Sequence, residues 1–206
     1  MAISFPVNIR TAVIQTGPKR MVFYPQVFGM QDERLQRYMN RWIVHETQKL
    51  IDKQVGDSPS TVVEMLGSYE IKNNQRNVVS LSLSNYTYHD RAAHGMTYIR
   101  SQTFDLQEQK RSILSDLFKP GSNYIQRISA LIRTQIEQRE IPIINGFTEI
   151  KPNQDFYVAD RTLVIYFQLY DLTPYVYGFP FFPISVYDLQ DIIREDGPLG
   201  RLSANS

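Results

Sequence analysis

The sequence predicts an α+β fold, in which a mostly antiparallel sheet packs against about three helices and two lobes share one unit. Two observations support this class. β-forming segments follow one another in runs, and isolated amphipathic helical segments interrupt them without regular strand–helix alternation. The length of 206 residues fits one domain or two small lobes with a common core.

The first part of the chain is predicted to form a hairpin and then a long helix. Residues 7–15 and 21–24 have strand character, and Pro25 and Gly29 are expected to end the second strand. Asp32 suits a helix N-cap. After it, apolar residues recur on one helical face: Leu35, Tyr38, Met39, Trp42, Ile43 and Leu50.

Three further strands are predicted at residues 61–72, 77–88 and 95–105. In the second of these strands, apolar residues alternate with a mostly serine set. The apolar set is Val79, Leu81 and Leu83, and the other set is Val78, Ser80, Ser82 and Ser84. Because successive side chains of a strand point to opposite faces, this pattern predicts one dry and one solvated face. We therefore expect an antiparallel sheet that is covered on one side.

The last part of the chain is predicted to contain two helices and a second group of strands. A helical turn at 113–118 precedes a helix with the apolar stripe Ile125, Ile128, Leu131, Ile132 and Ile136. Residues 156–158 and 161–170 are expected to form a hairpin, and residues 179–184 another strand. Ser185 suits the cap of a final helix.

Composition excludes several classes of function. Lys and Arg number 22 and Asp and Glu 21, so the net charge of +1 argues against nucleic-acid binding. The absence of cysteine excludes disulfides, thiolate nucleophiles and Cys-ligated zinc. No apolar run is long enough for a membrane span, and the N-terminus lacks the pattern of a signal peptide. As written, the sequence predicts a cytoplasmic protein; an excised part of an exported protein would be extracytoplasmic.

No assembled catalytic, cofactor or metal site is visible. His89 and His94 match no zinc-helix spacing, and Arg91 between them would repel a cation, so both are expected to form ordinary hydrogen bonds. The chain contains no Gly-x-Ser-x-Gly elbow and no glycine-rich phosphate loop. Carboxylates are scattered along the sequence, and a converging pair of the kind used by glycosidases stays open as an alternative.

Aromatic residues are concentrated in the final third of the chain, and some of them fall in a loop. The sequence contains 13 Tyr and 11 Phe, and the segment around Pro174, Tyr175 and Tyr177 has loop character. Tyrosine on a loop supplies contact area at low entropic cost. These three residues are therefore candidates for a ligand- or partner-binding site, with structural packing as the alternative.

Several passages resemble the bacterial family of unknown function DUF3298. They are Ala93-His94-Gly95, Phe104-Asp105-Leu106, Ile113-Leu114-Ser115-Asp116-Leu117-Phe118, Leu163 through Tyr175 with Gly178, and Phe182-Pro183-Ile184. The stretch before residue 90 is similar to the companion domain DUF4163. The resemblance implies a DUF4163-like part at 1–90 and a DUF3298-like part at 91–196. The polar composition of residues 197–206 predicts a frayed tail.

The resemblance also implies a class of ligand. The family includes a lysozyme-binding extracytoplasmic domain of an anti-sigma factor and the non-catalytic domain of a peptidoglycan deacetylase. By this likeness Pro174 and Tyr175 lie in an aromatic loop that faces a protein or a cell-wall glycan. The glycine of Ala93-His94-Gly95 is expected to permit a tight turn, which a hydrogen bond from His94 would lock.

The leading hypothesis is a non-enzymatic binding or sensor domain for a protein or a peptidoglycan-type glycan, without catalytic residues, metal or cofactor. Two alternatives stay open: a carboxylate-dependent glycan hydrolase and an intracellular structural domain that associates with its own copies. A cleft with two carboxylates of raised pKa would favour the hydrolase, and a self-complementary apolar patch would favour self-association. An exposed aromatic loop would favour the binding domain.

Overall fold

The computed structural model describes residues 5–204, which form two β-sheets and three α-helices. The first sheet has six strands whose chain order is also their spatial order: β1 Asn8–Gly17, β2 Arg20–Phe28, β3 Val62–Gln75, β4 Val78–His89, β5 Met96–Asp105 and β6 Lys110–Ser112. The second has three: β7 Phe156–Ala159, β8 Thr162–Tyr166 and β9 Phe181–Ser185. The helices are α1 Glu33–Val55, α2 Tyr124–Gln138 and α3 Pro198–Ser203. The predicted α+β class is confirmed.

Strand β2 is longer than predicted. All strand pairs are antiparallel except β2 and β3, which run parallel over residues 20–22 of β2 and are connected through α1. The expectation that Pro25 ends β2 is wrong, because the strand continues to Phe28. Beyond Val22, β1 is the one strand within residues 5–204 that pairs with β2. A proline, which lacks an N–H, is tolerated on a strand with one such neighbour.

Helix α1 begins and ends where the sequence predicts. Asp32 is the N-cap, and its Oδ1 accepts hydrogen bonds from the backbone N–H of Arg34 at 2.9 Å and of Leu35 at 3.0 Å. Gly56 ends the helix with a φ of +53°, a conformation that glycine adopts without a steric penalty. The predicted apolar face packs on the sheet in a core that includes Met39 and Ile43.

Strand β4 alternates as predicted, but both of its faces are buried. Val79, Leu81 and Leu83 pack in the core under α1. The expectation of a solvated serine face is wrong, because Ser80 is fully buried and Ser82 nearly so. The backbone N–H of Val158 in β7 donates to Ser80 Oγ at 3.0 Å, so the second sheet covers this face.

The second sheet departs from prediction at two points. Strand β8 ends at Tyr166 instead of Tyr170, which has a φ of +67° that no strand accommodates. The helix expected after Ser185 is a short 3₁₀ turn, Val186–Leu189. Ser185 still caps it, since its hydroxyl accepts a hydrogen bond from the Tyr187 N–H at 3.3 Å.

The predicted polar tail at 197–206 contains helix α3. The expectation of a frayed end is wrong for its described part, because Leu199 and Leu202 are buried in the same core as the second sheet. Gly200 has no room for a side chain, since a Cβ there would lie 2.1 Å from the Glu195 carbonyl oxygen. Two buried leucines among polar neighbours thus hold helix α3 in place.

The predicted division of the chain lies between two neighbouring strands. Residues 90 and 91 fall in the connection between β4 and β5, which are adjacent in the six-stranded sheet. The division into 1–90 and 91–196 stays a prediction. Residues 1–4 of the first part and residues 205–206 of the predicted tail lie outside the described range.

No helix between residues 5 and 204 combines the length and the apolar character needed to cross a membrane. The longest, α1, carries charged residues along its exposed side.

Candidate functional site

The loop from Pro174 to Gly178 is a hydrogen-bonded turn. Residues Tyr175–Tyr177 form a 3₁₀ turn, in which the Tyr177 N–H donates to the Pro174 carbonyl and the Gly178 N–H to the Tyr175 carbonyl, both at 3.0 Å. Thr173 closes the turn with a hydrogen bond to the Gly178 carbonyl at 3.2 Å. Gly178 has a φ of +81° and a ψ of −153°, a region open essentially to glycine alone. The loop is therefore pre-organised.

Three aromatic rings form the base of this loop; we refer to His94, Tyr170 and Tyr175 as the aromatic cluster. The centroids of His94 and Tyr175 are 4.2 Å apart, with an angle of 28° between the ring planes. The rings of Tyr170 and Tyr175 stack at 5.5 Å and 29°. Such offset stacking adds to the energy of apolar contact and fixes the position of the loop.

Hydrogen bonds tie the cluster to the start of β5. The Gly95 carbonyl accepts from the Tyr175 hydroxyl at 2.9 Å and lies 2.9 Å from Nδ1 of His94. Since a carbonyl only accepts, Nδ1 carries the proton, and in the neutral ring Nε2 then accepts from the Tyr170 hydroxyl at 3.2 Å. The expected local hydrogen bond of His94 is confirmed.

Gly95 contacts a tyrosine ring and does not have a positive φ of the kind that a tight turn would demand. A Cβ at Gly95 would lie 2.2 Å from the outer part of the Tyr86 ring. A side chain here would therefore displace that ring, which glycine lets approach the backbone.

Val176 and Tyr177 are exposed at the tip of the loop, and Tyr170 of the aromatic cluster is partly exposed as well; we call these three residues the loop surface. The exposed fractions are 93% for Val176, 45% for Tyr170 and 36% for Tyr177. Of the predicted residues, Tyr177 lies on this surface, while Pro174 and Tyr175 are half-buried at its base.

Sequence analysis did not identify Val176, Tyr170 or His94 as part of this site. Val176 could have been found from its place between two tyrosines of the loop. Tyr170 could not, because its β-forming neighbours predicted a strand through residue 170. His94 lies far from the loop in the sequence.

His89, the second histidine that was weighed as a metal ligand, also has hydrogen-bond partners at both ring nitrogens. His89 Nδ1 lies 2.7 Å from the Thr61 hydroxyl, and Nε2 lies 2.7 Å from the Gln54 carbonyl oxygen. Both ring nitrogens are thus engaged in the ordinary contacts expected from the sequence. Within residues 5–204, no three His, Asp or Glu side chains are placed to share a metal ion.

Two of the scattered carboxylates line a common recess, which we call the polar cavity. It has a volume of about 300 Å³ and is bounded by α1, β5, β6 and residues 153–156. Glu46 pairs with Lys49 at 3.4 Å, and Asp155 with Arg100 at 3.4 Å. Burial raises the pKa of the Asp155 carboxyl, although hydrogen bonding from Gln168 at 2.9 Å opposes the shift.

The fold is shared with two solved structures. A DUF3298 family member from Bacteroides fragilis superimposes with a TM-score of 0.71 and 12% identity, covering 97% of this chain and 98% of the other. A DUF3298 family protein from Pseudomonas aeruginosa gives a TM-score of 0.68 and 15% identity, with 99% of each chain covered. At these identities the likeness establishes the fold alone.

The fold matches over nearly the whole chain, whereas the sequence matches a family model over only part of it. No curated protein matches the chain significantly. The expected likeness of residues 1–90 to DUF4163, and the kinship with an anti-sigma factor and a deacetylase, stay predictions. Residues 115–187, which run from the turn before α2 to the turn after β9, match the model of the protein family of unknown function DUF3298.

Proposed function

We propose that this chain is a non-enzymatic binding domain that presents the loop surface to a protein or to a cell-wall glycan. The observation that carries this proposal is the exposure of apolar and aromatic groups on a pre-organised turn. Val176 is 93% exposed, yet the turn beneath it is closed by backbone hydrogen bonds. A loop already held in one conformation loses little entropy on binding.

The chemistry of the loop surface suits both proposed ligand classes. The phenol rings of Tyr170 and Tyr177 offer an apolar face together with a hydroxyl group, a combination enriched where proteins bind partners. Pro174 and Tyr175 have a supporting role in this proposal, because they hold the turn against His94 and Gly95. Tyr177 and Val176 would make the contacts.

The contacts of the polar cavity support a non-enzymatic role over the hydrolase alternative. Glu46 and Asp155 each form an ion pair with a cation of the cavity wall. An ion pair favours the ionised form of a carboxylate, which suits a structural role better than that of a general acid, although burial acts in the opposite sense on the pKa of Asp155.

The test is a double substitution at the tip, Val176→Ser with Tyr177→Ala. Val176 is almost fully exposed and Tyr177 is about one-third exposed, so the free energy of unfolding should fall by about 1 kcal/mol, well short of unfolding the chain. Binding should weaken about tenfold or more, as expected when central contacts of an interface are removed. The probes are immobilised lysozyme, read by surface plasmon resonance, and insoluble peptidoglycan, read by co-sedimentation.

Tyr187→Ala is the matched control. Tyr187 is 48% exposed and follows the opposite end of β9. Its loss should leave binding to either probe unchanged. If the wild type and the tip variant bind equally well, the loop surface is not the binding site. If the wild-type chain binds neither probe, the proposed ligand classes are wrong.

A further inference from the structure

We propose that the polar cavity binds a small oxyanion, a phosphate or carboxylate group, at a site distinct from the loop surface. The cavity lies beside β5, between the layer of α1 and the loop that leads into β7. Its volume of about 300 Å³ is at the lower end of the range for small-molecule sites.

The charges of the cavity wall leave one cation without a carboxylate. Five charged side chains line it: Glu46, Lys49, Arg100, Arg111 and Asp155. Glu46 pairs with Lys49, and Asp155 with Arg100. Among residues 5–204, no carboxylate lies within ion-pair distance of Arg111. The cavity therefore carries a net charge of about +1, located at one guanidinium.

Arg111 is held in place by packing. Its guanidinium carbon lies 4.3 Å from the centroid of the Trp42 ring, and its backbone N–H donates to the Tyr38 hydroxyl at 3.1 Å. A guanidinium stacked on an aromatic ring keeps its N–H groups available at the ring's edge. These donors suit the paired oxygens of a phosphate or a carboxylate.

The neighbouring residue supplies a second, independent observation. Ser112 belongs to the cavity wall, is 97% buried, and its hydroxyl has no hydrogen-bond partner among residues 5–204. A buried hydroxyl without a partner costs free energy, and one explanation for its retention is a ligand that it contacts. Ser112 pairs with Thr103 and Arg111 with Phe104, so the two side chains leave opposite faces of β6. The hydroxyl can therefore donate only to an oxyanion that sits at the edge of this strand, between the two faces.

The experiment titrates the full chain with sodium phosphate and, separately, with sodium citrate, at an ionic strength held constant with chloride. Backbone amide shifts of Ser101, Thr103, Ser112 and Gln154 are followed by NMR. Saturable shifts with phosphate assign a phosphorylated ligand, and saturable shifts with citrate alone assign a carboxylate ligand. Shifts with neither, or only those that chloride also produces, would overturn the proposal.

Substitutions of Arg111 test the predicted anchor. Arg111→Gln should weaken anion binding at least tenfold, and Arg111→Lys, which keeps the charge but loses the planar fork, should weaken it less. Arg91→Gln is the matched control, because it removes the same charge from a side chain that is 93% exposed and outside the cavity. Equal weakening by Arg91→Gln and Arg111→Gln would reduce the effect to net charge and contradict a specific site.

Three further variants, one of them a control, separate binding from folding. Ser112→Ala should leave the melting temperature unchanged or higher, because it removes an unpartnered hydroxyl, yet weaken binding several-fold. Ser122→Ala, at another buried hydroxyl without a partner and outside the cavity, should leave binding unchanged. Asp155→Asn raises the cavity charge and should tighten binding several-fold, a gain that a damaged fold cannot mimic; weaker binding in this variant would count against the proposal. All these variants keep the loop surface intact, so the two proposals fail independently.

Discussion

The two faces of strand β4 are both buried, but by different chemistry. The face toward α1 carries Val79, Leu81 and Leu83 in a hydrophobic core. The opposite face carries Ser80 and Ser82, which lie beside Ser101 and Thr103 of β5 and beneath the second sheet. One side is therefore held by apolar packing, the other by small hydroxyl groups that bond the covering layer. A serine face in a strand thus does not establish contact with water.

The largest effect is expected on the apolar face. Leu81 is fully buried, so Leu81→Ala should lower the free energy of unfolding by about 2–5 kcal/mol, through lost contacts and the cavity left behind. Denaturant unfolding of both chains measures it. A loss below about 1 kcal/mol would mean that this core collapses readily around the gap.

The next effect is expected on the hydroxyl face. Ser80→Ala removes the acceptor of the Val158 N–H and the partner of Thr103 Oγ1 at 2.9 Å, so we expect a loss of about 1–3 kcal/mol. Ser84→Ala is the control, because Ser84 is half-buried and bonds an exposed serine. Its effect should stay within about 0.5 kcal/mol. Equal effects at the two positions would show that the covering sheet does not depend on this bond.

A smaller loss is expected at the second hydrogen bond between the layers. Tyr166 is fully buried, and its hydroxyl lies 2.9 Å from Ser101 Oγ, which itself donates to the Phe156 carbonyl. Tyr166→Phe should cost about 1 kcal/mol, measured by denaturant unfolding. Combination with Ser101→Ala tests the pairing, since the two losses should not add. Additive losses would mean that the hydroxyls act separately.

Asp155, which directly precedes strand β7 of the covering sheet, should also give the stability a pH dependence. Because burial raises the folded-state pKa of Asp155, the folded chain binds more protons than the unfolded chain between the two pKa values. Its contribution to stability is fully present below the unfolded value, about 3.9, and is lost as the pH rises through the folded value. Asp155→Asn lacks this loss, so its stability relative to wild type should increase with pH. Unfolding at pH values across this window checks the sign, and parallel profiles for the two chains would contradict it.

Much of the local structure could be predicted from the sequence. Asp32 and the apolar face of α1 set that helix, and the alternation in β4 gave both its length and its two sets of side chains. The position of the 174–178 loop was also predicted correctly, whereas the residues outside the loop that support it, His94 and Tyr170, were not identified. His94 and Tyr175 are 81 positions apart in numbering and meet only in the folded chain. The ligand-binding role assigned to Pro174, Tyr175 and Tyr177 stays a prediction.

Periodicity, caps and turn residues act within a few positions of the chain, so the sequence by itself determined the α+β class and, to within about a residue, the bounds of α1, β4 and β5. Only the tertiary structure decided which surfaces are covered. The serine face of β4, the leucines of α3 and the cations of the polar cavity depend on segments far away in the sequence. The bond between Ser80 and Val158, which joins residues 78 positions apart, illustrates this. Burial depends on what packs against a residue, and local sequence carries little information about that partner.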